Sequence, residues 1–246
     1  MAQRITHPLD EAYFRLDWAK KRLAELKAVH ETYIAEEADI ISESVKANGR
    51  INEQGNPEIR FPQPRLIPVS FPILVGEVAY NLRASLDYLI YKLAILDSGS
   101  EQQGTQFPVT GAPENFRGRN RNRYLRGVND THAEAIERLQ PYNGVDWTKK
   151  LVSVSNPDKH RHLIVSRTRN AMRVRYGNNP NPPEDYAAED SLCILMTLTN
   201  DNGRAMYIEF EMVLFIAFDD GRHVINTLEE IETGVRNTLA DFKPEF

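Results

Sequence analysis

Two short stretches gather side chains able to do chemistry. In Asn81-Leu82-Arg83-Ala84-Ser85-Leu86-Asp87-Tyr88 an amide, a guanidinium and a carboxylate interrupt an otherwise apolar run, FPILVGEVAYNLRASLDYLIYKLAIL. In Asp158-Lys159-His160-Arg161-His162 two imidazoles stand among two cations and an acid. A guanidinium can stabilise charge developing on a phosphate, and an imidazole can give or take a proton near neutral pH. Placed at 100° steps on a helix, Arg83 and Asp87 are one turn apart on a face shared with Gly76, Tyr80 and Tyr91. Asn81 and Ser85 flank the apolar stripe on its other side. An ordinary solvated ion pair would show the same spacing, with little energetic consequence.

His160 and His162 point about 200° apart on a helix and lie on one face of a strand. Asn156-Pro157-Asp158 is a helix start, with a capping side chain, proline at the first helical position and an acid in the first turn. The helical reading separates the two rings, so no metal is expected. His160 with Lys159 and Arg161 is the better candidate for phosphate contact or proton transfer. A basic helix start that only caps a turn is the plainer alternative.

Arginine is concentrated in two further places. FRGRNRNRYLRG carries Arg117, Arg119, Arg121, Arg123 and Arg126 with two aromatics and no acid. That mixture suits nucleic acid, because planar guanidinium groups bind phosphate and stack on bases. In LIVSRTRNAMRVRY, Arg167, Arg169, Arg173 and Arg175 are all odd-numbered. On a strand they share a face and could track phosphates or pair with Glu209 and Glu211 across a sheet, and the pairing is favoured.

These residues need elements to hold them. Leu9, Ala12, Leu16, Ala19, Leu23, Leu26, His30 and Tyr33 recur at helical spacing and predict a long amphipathic helix over 9–36. His30 on that stripe is expected to be a core histidine bonded to a backbone carbonyl or a neighbour. Ile40–Val45 and Glu58–Phe61 read as an irregular hairpin around a Gly/Asn-rich loop. Val75, Val78, Leu82, Leu86, Leu89 and Leu93 predict a second long helix over about 69–97, packed antiparallel on the first. Shorter helices are expected in PENFRGRNRNRYLRG, DTHAEAIERLQ and DWTKKLVSVS. Every even position from Met206 to Phe218 is apolar, which predicts a strand pairing with 192–199 through the turn at NDNG. Thr227 and Glu230 have the spacing of a capping box and open a final amphipathic helix. The fold class is α+β, with long amphipathic helices packed together and against an antiparallel sheet. A single domain over 1–246 is expected, helical to about 160 and then sheet plus helix.

The net charge of −5 conceals an asymmetry, since residues 115–176 hold 14 Lys/Arg against 5 Asp/Glu. A basic centre in an acidic chain fits a phosphate-bearing partner, or a segment packed on its own acidic flanks. Cys193 is the lone cysteine and sits in an apolar strand, where a structural thiol is expected. The N-terminal residues lack a secretory apolar core and no run approaches the ~20 apolar residues of a membrane helix, so a cytoplasmic location without membrane contact is expected. No dinucleotide, P-loop, zincin or nucleophile-elbow motif occurs, and no cofactor is expected.

In order along the chain, GEVAYNLRASLDYLIYKLA, TQFPV, ERLQPYNG, NPDKHRHLIV and VRNTLADFKPEF resemble a family of uncharacterised bacterial proteins. That family reads G-x-x-x-H-N-L-R-x-A-L-D-H, Q-F-P, L-Q-P-Y and N-x-D-K-H-R. Its R-x-A-L-D-H is similar to the Arg-x4-His motif of HEPN ribonucleases, helical RNA-cleaving proteins of defence and toxin systems. The resemblance implies RNA as partner, a homodimer and metal-independent cleavage in which Arg and His act on the scissile phosphate. Arg83 matches, whereas Tyr88 stands at the histidine position and Tyr80 replaces the histidine before Asn81. A phenol with a pKa of about 10 is a poor base at neutral pH. On this reading Arg83 stabilises the phosphate, His160 acts as acid or base, and Asp87 and Asn81 orient them. A degenerate relative that only binds RNA is the milder form. The alternative, from another class, is a non-catalytic structural or interaction protein in which the polar helix centre is a buried network.

Overall fold

A computed structural model describes residues 6–155, 163–176, 191–199 and 205–246. The chain forms two compact units that interleave along the sequence: residues 1–27, 69–163 and 222–246 make one, and 28–68 with 164–221 make the other. It is an α+β protein, its long helices packed together and an antiparallel sheet in the second unit.

The first unit is helical. Helix α1 (Asp10–Asn48) contributes its residues up to Lys27, and α2 (Ser70–Ser98) lies beside it. The two run antiparallel, as their pairs show: Glu11 meets Lys92 at 2.7 Å, the Ser85 hydroxyl donates to the Ala12 carbonyl at 2.7 Å, and Arg22 meets Glu77 at 3.1 Å. The predicted stripe is the core, with Val75, Val78, Leu82, Leu86, Leu89 and Leu93 of α2 against Ala12, Leu16, Ala19 and Leu26 of α1, all buried. α2 keeps its β-branched residues dispersed and stops at Gly99, whose φ of 72° the absent Cβ permits and whose N–H closes on the Ile95 carbonyl.

A helical run follows, made of α3 (Pro113–Asn115), a wider π turn (Phe116–Asn120) and α4 (Arg121–Tyr124). Next come α5 (Asp130–Arg138), capped by the Asn129 side chain, and α6 (Asp146–Val154). Helix α7 (Val224–Phe242) closes the unit. Its cap is His223, whose ring nitrogen accepts from the Asn226 N–H. Thr227 is therefore not the cap that its spacing to Glu230 suggests. The chain is already helical at Val224 and Ile225, two buried residues that must enter the core on the helix face.

The second unit holds the rest of α1, a two-residue ladder of β1 (Arg50–Ile51) with β2 (Pro57–Glu58), and the strands β3 (Leu163–Tyr176), β4 (Ser191–Thr199) and β5 (Ala205–Phe218) in the order β3-β5-β4. β4 and β5 are antiparallel, from Ser191 opposite Val213 to Thr199 opposite Ala205. The even residues Met206 to Leu214 are buried with Leu198, Ile41 and Val45 in one cluster, so helix covers sheet. That cluster corrects the expected hairpin. Ile40–Val45 is helix, because Ile34, Ala38, Ile41 and Val45 continue the α1 stripe at helical steps and find their partners on β5. His30 is half-buried, and its ring accepts from the Ile216 N–H at 3.4 Å, a backbone donor where a carbonyl or a neighbour was expected.

Candidate functional site

The polar centre of α2 divides by face. On the α1 side, Asn81 is buried, donates to the Glu77 carbonyl one turn earlier at 2.8 Å and accepts from Arg15 at 3.3 Å. Ser85 is fully buried on the Ala12 carbonyl. Arg15 also carries its guanidinium over the Tyr88 ring, 5.9 Å from its centre. These bonds fix the register of the two long helices at the point where Asn81 and Ser85 are sealed from water.

Arg83 and Asp87 occupy the other face, and their ion pair measures 3.4 Å. They close together on one residue of the loop beyond α2. Arg83 donates to the Phe107 carbonyl at 2.5 Å, and the Phe107 N–H donates to the Asp87 carboxylate at 2.8 Å. Phe107 is completely buried and lies in no ladder, so its backbone groups need side-chain partners. Burial pushes the Asp87 carboxyl above its ordinary value, although Arg83 and the Phe107 N–H both favour the ionised form.

Gln140 completes the clamp from α5's end. Fully buried, it donates to the Pro108 carbonyl at 2.9 Å and the Ile136 carbonyl at 3.1 Å, and accepts from the Thr110 N–H at 3.0 Å. The stretches NLRASLD, QFPVT and LQPY thus converge on one extended segment, 107–110. Each bond replaces the water or strand partner that a buried, non-helical backbone lacks.

Beside the clamp lies a groove of about 560 Å³, lined by Tyr80, Arg83, Ala84, Asp87, Tyr88 and Tyr91 of α2 and by residues 101–105. Arg83 and Asp87 therefore face both the clamp and open space, while Asn81 does not line the groove. His160, Lys159 and Arg161 lie outside the described residues, as does the proposed helix start at 156–158. Of the arginine ladder, the backbone of β3 is described; it neighbours β5, which carries Glu209 and Glu211.

The basic stretch separates into two kinds of arginine. Arg117 pairs with Glu137 at 2.8 Å, and Arg121 spans the Leu125 and Val128 carbonyls and Asp130. Arg119, Arg123 and Arg126 are exposed.

A cluster that the sequence reading did not single out closes the C-terminal end of α2. The His132 ring lies 2.8 Å from Asp97, which also accepts from the Asn129 N–H and amide, and Glu245 stands 3.5 Å from the other ring nitrogen. The cue was faint: an Asn cap three residues before a histidine. Among the described residues no group of three or more His, Cys, Asp or Glu side chains is arranged to hold a metal ion, and no helix is long and apolar enough to cross a membrane. No protein-family model, no curated protein and no solved structure matches the chain.

Proposed function

We propose that this chain is a non-catalytic interaction protein in which the polar centre of α2 is a structural network. The observation that carries the reading is the closure of Arg83 and Asp87 on the two backbone groups of Phe107. A guanidinium held by a carboxylate and a buried carbonyl is already spent on the fold, and Tyr88 at the position of the expected histidine engages Arg15. The groove beside the clamp is then a surface for contact, with tyrosines along its floor.

RNA cleavage in the manner of HEPN ribonucleases is the second reading. It draws on the resemblance and on Arg83 lining the groove with Tyr80 and Tyr88. One experiment separates the two: pooled cellular RNA is incubated without metal with wild type and with Arg83→Ala, and both proteins are melted. The expected result is no cleavage by either, with Arg83→Ala less stable by about 1–3 kcal/mol because the Phe107 carbonyl loses its donor. Cleavage by wild type that a folded Arg83→Ala has lost would replace the first reading by the second.

A further inference from the structure

The five arginines of the 113–126 run are not equivalent. Arg117 and Arg121 bind Glu137, Asp130 and two backbone carbonyls, and so fasten the run to α5 and its cap. Arg119, Arg123 and Arg126 project into solvent and form no ion pair among the described residues; Arg126 makes one long bond, 3.4 Å, to the Asn122 carbonyl. Arg119 lies on the π turn, Arg123 on α4 and Arg126 in the turn that follows it, so the three exposed guanidiniums are gathered on one short stretch of chain, a basic ridge. Tyr124 adjoins it, with the Arg123 guanidinium 5.1 Å over its ring. The apolar residues of the run point the other way, Phe116 and Leu125 being buried.

We infer that this ridge binds single-stranded nucleic acid, the three guanidiniums contacting consecutive phosphates and the Arg123–Tyr124 pair offering a planar surface for a base. Three cations without an ion-pair partner among the described residues, within the basic centre of a chain whose net charge is −5, make a local positive field, which draws a polyanion to this place rather than to the molecule at large. Guanidinium and tyrosine faces supply stacking that does not depend on sequence. An anionic membrane would require exposed apolar residues between the basic ones, and the residues between these arginines are Asn120, Arg121, Asn122, the half-buried Tyr124 and the buried Leu125. The inference does not draw on the α2 network and stands or falls separately from it.

The test is fluorescence anisotropy of the full chain with a labelled oligouridylate at several salt concentrations. The same measurement is made on the triple variant Arg119→Gln, Arg123→Gln, Arg126→Gln. A second triple variant, Lys46→Gln, Arg60→Gln, Lys149→Gln, removes as many exposed charges elsewhere. Each phosphate contact on a single strand adds about 0.7 to the slope of log affinity against log salt, so the ridge accounts for about 2. The ridge variant is expected to lose about tenfold or more in affinity at low salt and most of that slope, with its melting curve unchanged. The control variant is expected to keep most of the affinity. An equal loss in both variants, an unchanged slope in the ridge variant, or no binding by wild type would overturn the inference. Binding of wild type to phosphatidylserine vesicles but not to the oligonucleotide would overturn it in favour of a lipid surface.

Discussion

At the scale of residues, half of the site is local and half is not. Arg83 and Asp87 are visible as a pair from their spacing of four, and Asn81 as a residue set apart from them, because one helix fixes all three directions. Their partner is invisible. Phe107 and Gln140 come from distant segments, and nothing in Q-F-P or L-Q-P-Y says that a buried backbone stretch waits there for donors and acceptors. Asp87 carries a testable consequence of this burial. Its carboxyl is raised above the ordinary 3.8 chiefly by desolvation, so between that value and the raised one the folded chain holds more proton than the unfolded chain. Stability contributed by this group is then greatest at low pH and falls as pH rises through the interval. Asp87→Asn keeps an acceptor for the Phe107 N–H and removes the titration. Urea unfolding across this range is expected to show the wild-type advantage over Asp87→Asn shrinking as pH climbs above 3.8. An advantage that grows with pH would mean that pairing with Arg83 outweighs burial.

At the scale of elements, periodicity located the long helices and the strands, and its errors came at boundaries. The apolar stripe of α1 continues through Ile41 and Val45, but a Gly/Asn-rich loop follows directly and Ile-rich sequence is common to both structures. Only the sheet partner decides, since the stripe is buried against β5. The start of α7 shows the same limit: His223 and Thr227 can both cap, and the burial of Val224 and Ile225 selects the earlier one. Contact between helices is harder still to foresee. Gly234 of α7 has no left-handed backbone and by sequence is only a weak helix residue, yet a Cβ there would sit 2.3 Å from the Trp147 indole of α6. Gly234→Ala should therefore destabilise despite alanine's better helix propensity, by about 1–3 kcal/mol of overpacking. Thermal melts of Gly234→Ala alone and with Trp147→Leu check the cause. The second substitution should recover part of the loss, and a more stable single variant would show that the indole moves aside freely.

At the scale of the molecule, the change of hydrophobic period near residue 162 marks the first long strand, and that much is legible. The grouping of elements is not, because it does not follow chain order: residues 28–68 join 164–221, while 69–163 return to the first unit. Helical sequence thus belongs to both units, and composition cannot sort it. The arrangement makes the second unit two excursions from the first, each leaving and re-entering it. Were the second unit to unfold, the first would be left with two longer loops, whose closure entropy grows only slowly with length. Both tryptophans, Trp18 and Trp147, lie in the first unit, so their fluorescence reports on it alone. Phe210 is buried in the cluster of the second unit and packs edge-on against Phe61. Phe210→Ala should cost that unit about 3–5 kcal/mol. In urea, the circular dichroism of the variant is expected to show an early loss of structure that leaves the tryptophan midpoint where it stands in wild type. A tryptophan midpoint that falls in step with the dichroism would instead establish one cooperative unit, with the continuous helix α1 transmitting the loss from the sheet to the helical core.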